Sequence, residues 1–226
     1  MPDTKDLFNK ISRYYDLLNT VFSVGIDKRW RVKLVSQVAE GSTVLDVATG
    51  TAEVISEGIK NKIFKNSIGL DPSIEMLKIG NKKLNTNYSE NSFLLVEGTA
   101  ENLPFENNSF DATTIAFGIR NTINYHRSLE EMYRVIKPGG RIAILEFAIP
   151  TYPIVRHLYL LYFKHLMPLV GSIFGSKKEY KYLSESTLKF PQRLTFLDVL
   201  KDSGFVNCEY EELSLGIAII YTGLKT

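Results

Sequence analysis

Five short, apolar, largely β-branched runs punctuate this chain: residues 42–48 (STVLDVA), 66–70, 92–96, 111–117 and 141–147 (RIAILEF). Stretches with helical spacing, at 53–62, 73–84 and 128–135, separate most of them. Strands that alternate with helices bury both faces by lining up as a mainly parallel sheet with helices on each side. The fold class expected is therefore α/β. The fifth run is entered through the turn Lys137-Pro138-Gly139-Gly140.

The flanks differ from this centre. Leu7, Ile11, Tyr14 or Tyr15, Leu18 and Phe22 recur at helical spacing, and a second helix is expected from Asp27 to about Val38, so residues 1–40 read as N-terminal helices. After Pro150 an aromatic segment, residues 152–182, interrupts the alternation, and residues 151–190 read as a helical lid insert. A helix at 192–201, closed by Gly204, then leads into two late strands, near 205–211 and 215–222. Their short connection at Leu213-Ser214 predicts an antiparallel pair at the sheet edge.

Composition narrows the classes. At 226 residues, 44% hydrophobic and 23% charged, one domain spanning 1–226 is expected. One cysteine, Cys208, rules out a disulfide scaffold and reads as core. A net charge of +2 gives no drive toward nucleic acid. Neither end carries the pattern of a secretory or transit signal, so a cytoplasmic protein is expected. The most apolar stretch, 154–170, is interrupted by Arg156, His157, Lys164, His165 and Pro168, and so does not read as a membrane span, which needs about 20 apolar residues.

The first run ends in Asp46-Val47-Ala48-Thr49-Gly50-Thr51-Ala52-Glu53, a strand feeding a small-residue turn into a helix start. Small residues let a ligand approach the backbone, and the helix start offers N–H donors. The second run ends at Asp71, about 20 residues beyond the turn, where a carboxylate accepts both hydroxyls of a ribose. Together the two features mark a nucleotide site. Gly50 stands without the further glycines of a G-x-G-x-x-G loop, which excludes a dinucleotide reading. The turn resembles instead the first motif of S-adenosylmethionine (AdoMet) methyltransferases, with Ala52 where that motif usually has glycine. A methyl at that position is expected to crowd the methionine end of the cofactor and weaken its binding.

The segments Tyr15-Asp16-Leu17-Leu18-Asn19, Trp30-Arg31, Phe117-Gly118-Ile119-Arg120-Asn121, Leu145-Glu146-Phe147, Tyr182-Leu183-x-x-Ser186 and Gly216-Ile217-Ala218 occur in order along the chain. This set resembles the ubiquinone/menaquinone biosynthesis C-methyltransferases. The resemblance implies a class I, Rossmann-like methyltransferase fold with a seven-stranded, mostly parallel sheet and an antiparallel edge strand. It also implies methyl transfer from AdoMet to a ring carbon of a prenylated quinol, a demethylmenaquinol or a benzoquinol.

On that basis Asp46, Gly50, Thr51, Asp71, Thr99, Ala100 and Ala116 are the expected cofactor contacts, with Thr99 and Ala100 beside the adenine. The sulfonium methyl is already a strong electrophile, so no metal is implied. The acceptor ring becomes nucleophilic when a hydroxyl loses its proton. Arg120 is expected to stabilise the resulting oxygen, Asn121 to orient it and Glu146 to accept a proton. The basic, aromatic segment 153–182 is expected to act as a lid and to touch a membrane surface peripherally, at its inner face. A homodimer is left open. Two alternatives stand beside this reading: an AdoMet methyltransferase for another small hydrophobic acceptor, and a non-catalytic AdoMet-binding subunit of a quinone-biosynthesis assembly, which Ala52 favours.

Overall fold

The computed structural model describes residues 25–89, 92–161 and 185–226. The expected helix over 7–22 and most of the aromatic segment, 162–184, lie outside them. Seven strands form one sheet: β1 (Ser42–Val47), β2 (Phe64–Asp71), β3 (Phe93–Glu97), β4 (Phe110–Ala116), β5 (Ile136–Phe147), β6 (Val206–Leu213) and β7 (Ala218–Leu224). Their order across the sheet is β3-β2-β1-β4-β5-β7-β6. The first five run parallel, whereas β7 runs antiparallel to both of its neighbours. The antiparallel pair at this side of the sheet is as the sequence led us to expect, with β6 outermost.

Chain order reverses between β1 and β4, and that gap is where an open parallel sheet forms its ligand crevice. The helices are α1 (Asp27–Val35), α2 (Glu53–Lys60), α3 (Ile74–Asn87), α4 (Tyr125–Val135), α5 (Pro153–Leu161) and α6 (Leu194–Asp202). Ser73 and Asn124 cap α3 and α4, their side-chain oxygens accepting from the backbone N–H groups of Met76 (3.2 Å) and Arg127 (3.1 Å). The first turn of α2 has no side-chain cap, which leaves its N–H groups turned toward the crevice.

Central strands are buried on both faces, which explains why they read as near-continuous apolar runs. One cluster joins Leu45, Leu70, Ile115 and Ile144 to Met132 of α4 and Phe196 of α6. A second joins Val44, Ala143, Leu145 and Ile220 to Trp30 and Leu34 of α1 and Val54 of α2. Cys208, expected as core, sits instead on the outermost strand, half-buried, its thiol against the Phe205 carbonyl at 3.4 Å.

The turn before the fifth run is also placed differently. β5 begins at Ile136, opposite Phe110, and its pairing resumes with Arg141 opposite Ala112, so residues 137–140 bulge out of a strand already begun. Gly139 takes a positive φ of 80° there, and its N–H donates to the Lys225 carbonyl at 2.7 Å. Gly69 is needed in mid-strand for another reason. A Cβ at this position would lie 2.7–2.8 Å from methyl carbons of Leu95, Ile55 and Thr49, which pack over the bare backbone. Gly69→Ala should therefore lower the unfolding free energy by about 1–3 kcal/mol, read as a shifted urea midpoint with an unchanged slope.

Candidate functional site

The C-terminal ends of β1, β2, β3 and β4 surround a cleft of about 250 Å³. Asp46, Gly50, Thr51, Asp71, Thr99, Ala100, Ala116 and Asn121 all line it, so eight residues singled out by sequence converge on one space. Asp46 ends the pairing between β1 and β4 and is almost completely buried. Its two oxygens accept from the hydroxyls of Thr49 in the turn (2.6 Å) and Thr114 on β4 (2.7 Å). Burial pushes its carboxyl up to about 6, against those hydrogen bonds and the nearby charge of Arg31.

Asp71 closes β2. It accepts from the N–H groups of Gly50 (2.9 Å) and Ser73 (2.8 Å), which ties the glycine turn to the end of the second strand. Burial raises it also to about 6. A carboxylate oxygen carries two lone pairs, so Asp71 keeps acceptor capacity for a diol on its cleft side. Gly50 lines the cleft with φ of 56°, a conformation that residues with a Cβ rarely adopt. The bare turn, the uncapped start of α2 and the diol acceptor together fit the nucleoside and sulfur-bearing chain of AdoMet.

Ala52, expected to crowd the cofactor, does not line the cleft. Its φ is 61°, it is fully buried, and its methyl packs toward α3, 3.1 Å from where a Cβ on Gly80 would stand. Lys83 of α3 holds the same turn from behind. Its ammonium pairs with Glu53 and donates to the Thr51 carbonyl at 3.1 Å. At the adenine end, Glu101 accepts from the N–H groups of Ile123 (2.7 Å) and Asn124 (3.3 Å), fastening the loop after β3 to the loop that enters α4.

Arg120 and Glu146 require a correction. They are brought together, but with each other: the two side chains form an ion pair, 4% and 1% exposed, and neither lines the cleft. The cause is local. Phe117 leaves β4 in the left-handed region, φ 58°, which turns the following one-turn helix, Ile119–Asn121, so that the Arg120 side chain runs back toward the end of β5. There its guanidinium donates to the Phe117 carbonyl at 2.9 Å and lies 5.4 Å from the centre of the Phe147 ring. The Glu146 carboxylate also accepts from the Phe147 N–H at 2.8 Å. Burial raises its pKa, opposed by Arg120. The pair thereby ties the end of β4 to the end of β5.

Asn121 reaches the cleft, as Phe117 and Gly118 of the same motif do. The Asn121 amide nitrogen donates to the Phe117 carbonyl at 3.1 Å, which fixes the amide orientation, and its Oδ1 is buried with no partner among the described residues. A buried acceptor without a donor costs about 1–3 kcal/mol. Sequence reasoning missed Arg31 as a site residue. It enters the cleft wall from α1, paired with Asp27. The signal was present in the Trp30-Arg31 pair, because Trp30 anchors the same helix against Phe117 and Phe147 and donates to Ser214 Oγ at 2.9 Å.

Known proteins share both this sequence and this fold. The model of the ubiE/COQ5 methyltransferase family matches residues 2–225. A protein of Geotalea daltonii named ubiquinone/menaquinone biosynthesis C-methyltransferase UbiE is 41% identical, covering 98% of this chain and 95% of that protein. A demethylmenaquinone methyltransferase of Staphylococcus epidermidis is 40% identical, covering 97% and 91%. Among solved structures, a SAM-dependent methyltransferase of Thermotoga maritima superposes with a TM-score of 0.70 at 19% identity, over 98% of this chain and 99% of that one. The last likeness establishes the class I methyltransferase fold.

The raised carboxyls predict a pH dependence. A carboxyl whose native pKa lies above its unfolded value holds its proton longer when folded. Its contribution therefore falls as pH rises from about 4 to about 6 and is level above that. Asp46→Asn removes one buried charge while its amide still meets two hydroxyls that can reverse donor and acceptor roles. Urea unfolding between pH 4 and 7 should show a shallower decline for this variant than for the native protein, and no loss of stability at pH 7.

Proposed function

This chain belongs to the ubiE/COQ5 methyltransferase family, and we propose that it transfers the methyl of AdoMet to a ring carbon of a prenylated quinol in quinone biosynthesis. The observation that carries the reading is Asn121, which the motif Phe117-Gly118-Ile119-Arg120-Asn121 sets in the wall of the cleft that also holds Gly50 and Asp71, its Oδ1 without a partner among the described residues. When bound, AdoMet supplies an electrophilic methyl on a positively charged sulfur. The chain's residues bind and align. Asp71 takes the ribose hydroxyls, Gly50 and Thr51 pass the chain that carries sulfur, and Thr99 and Ala100 border the base. Asp46 secures the turn, and Ala116 borders the reacting end.

Asn121 accepts a hydrogen bond from the quinol hydroxyl and so sets which ring carbon faces the methyl. As that carbon takes the methyl the bond to sulfur breaks, leaving S-adenosylhomocysteine, and the ring C–H proton is lost to water. The Arg120–Glu146 pair fixes the Phe117 carbonyl, on which the Asn121 amide hangs. The Phe117 ring, stacked on Phe147 with centroids 4.3 Å apart, gives that end of the cleft an apolar wall that excludes water from the acceptor.

We read residues 1–226 as one methyltransferase domain with a lid over 151–190. Its helix α5 exposes Ile154, Leu158 and Leu161 at spacings of four and three residues, with Tyr152 just before it and Arg156 between. That apolar strip supports a peripheral membrane contact through which a substrate with a polyprenyl tail enters. Among the described residues no helix is long and apolar enough to cross a membrane.

Incubation of the purified protein with AdoMet and a reduced short-tail demethylmenaquinol should yield a product heavier by one methyl, seen by mass spectrometry. Asn121→Ala should lower kcat roughly 10–100-fold while cofactor affinity stays within about twofold. Turnover unaffected by that substitution would remove Asn121 from the acceptor site. No methylated product from either a naphthoquinol or a benzoquinol, with cofactor still bound, would favour the non-catalytic reading.

A further inference from the structure

Among the described residues that line the cleft, Arg31 is the only lysine or arginine. Its side chain is 7% exposed, so a full positive charge has been carried out of bulk water into a ligand pocket. One terminal nitrogen, Nη1, is used by Asp27 one helical turn earlier, and the described hydrogen bonds of Arg31 use no other guanidinium nitrogen. The guanidinium carbon lies 5.5 Å from the centre of the Phe117 ring, which supports it as a platform. It is also near enough to Asp46 for its charge to oppose the rise in that carboxyl's pKa.

These positions order the cleft by chemistry. Thr99 and Ala100 lie at the end of β3, Asp71 at the end of β2, and the Gly50 turn after β1. Beyond the turn come Asp46, Ala116, Phe117 and Arg31. With the base at the first station and the ribose at the second, the amino-acid end of AdoMet falls at the last. That end is a zwitterion, with one ammonium and one carboxylate. The protein presents one buried anion, Asp46, and one buried cation, Arg31, at the same place. A planar guanidinium with N–H donors left over matches a carboxylate in shape as well as charge.

We infer that Arg31 holds the carboxylate of the cofactor's methionyl group. The inference rests on the reading that this cleft takes AdoMet. It gives α1 a task beyond packing: Trp30 locks the helix to the strand ends, and the adjacent Arg31 closes the cofactor site from outside the sheet. Asp27 then acts as a positioning residue that keeps the guanidinium turned inward.

Calorimetric titration with two unreactive ligands tests this. S-adenosylhomocysteine has the methionyl-type carboxylate, whereas 5′-methylthioadenosine shares the nucleoside and sulfur but has no amino-acid end. Arg31→Met should weaken S-adenosylhomocysteine roughly 10–100-fold and leave 5′-methylthioadenosine within about twofold. Unchanged binding of the truncated ligand also shows that the variant has folded. Arg31→Lys, which keeps the charge but loses the fork, should recover some of the lost affinity. Equal weakening of both ligands, or of neither, would overturn the assignment. Unchanged S-adenosylhomocysteine affinity with a lowered kcat would overturn it too, moving Arg31 to the acceptor's oxygen. A native protein that binds neither ligand would sink the cofactor reading itself, an outcome distinct from any effect of the substitution.

Discussion

The Asp46 carboxylate holds the switch point of the sheet together. The chain reverses its order between β1 and β4, and one buried side chain spans that gap by accepting from Thr114 on one strand and Thr49 in the turn. Burying a charge is costly, and the raised pKa measures that cost. The arrangement persists because the same two hydrogen bonds set the turn geometry on which Gly50 and Thr51 depend. Backbone strain gathers at the same edge. Ala48, Ala52 and Phe117 all adopt positive φ, at 51°, 61° and 58°. For residues with a Cβ each such conformation costs on the order of 1 kcal/mol, a strain that folds tolerate chiefly at binding sites.

Between β4 and β5 the Arg120–Glu146 pair does what Asp46 does between β1 and β4. A buried ion pair gains little net stability, because desolvation offsets the attraction. Here its value is geometric. The pair joins the end of β4 to the end of β5, fixes the strained Phe117 carbonyl and sits against the Phe147 ring. With Phe117 and Phe147 stacked, the apolar wall of the acceptor side and the orientation of Asn121 follow from one locked unit.

Much of this was legible in the chain itself. Alternating apolar runs specified the layers, and the spacing from the Gly50 turn to Asp71 brought those two residues to one cleft, because both signals are local and periodic. What escaped depended on contacts distant in sequence. Arg120 and Glu146 stand at the ends of adjacent strands, as expected, yet only the left-handed turn at Phe117 shows that they face each other and not the cleft. The fate of the Ala52 methyl hinges on Gly80, in the next helix, which leaves room for it. Arg31 was overlooked because its helix precedes the sheet, and the Trp30-Arg31 pair, though visible in the chain, acquires its meaning only from the packing of Trp30 on Phe117 and Phe147. Residues 137–140 were read as a turn before a strand because Pro and Gly are strong punctuation, whereas register with β4 and pairing with Lys225 make them a bulge.

Carbon, not oxygen, is the atom methylated if Asn121 holds the quinol hydroxyl so that a ring carbon, and not that oxygen, faces the methyl. The most direct measurement is the carbon-13 NMR spectrum of the product formed from a reduced demethylmenaquinol and AdoMet labelled at its methyl carbon. A label appearing as a methyl bonded to the aromatic ring is the predicted result. A label appearing as a methoxy carbon would contradict the account, because it would mean that the hydroxyl held at Asn121 is itself the nucleophile.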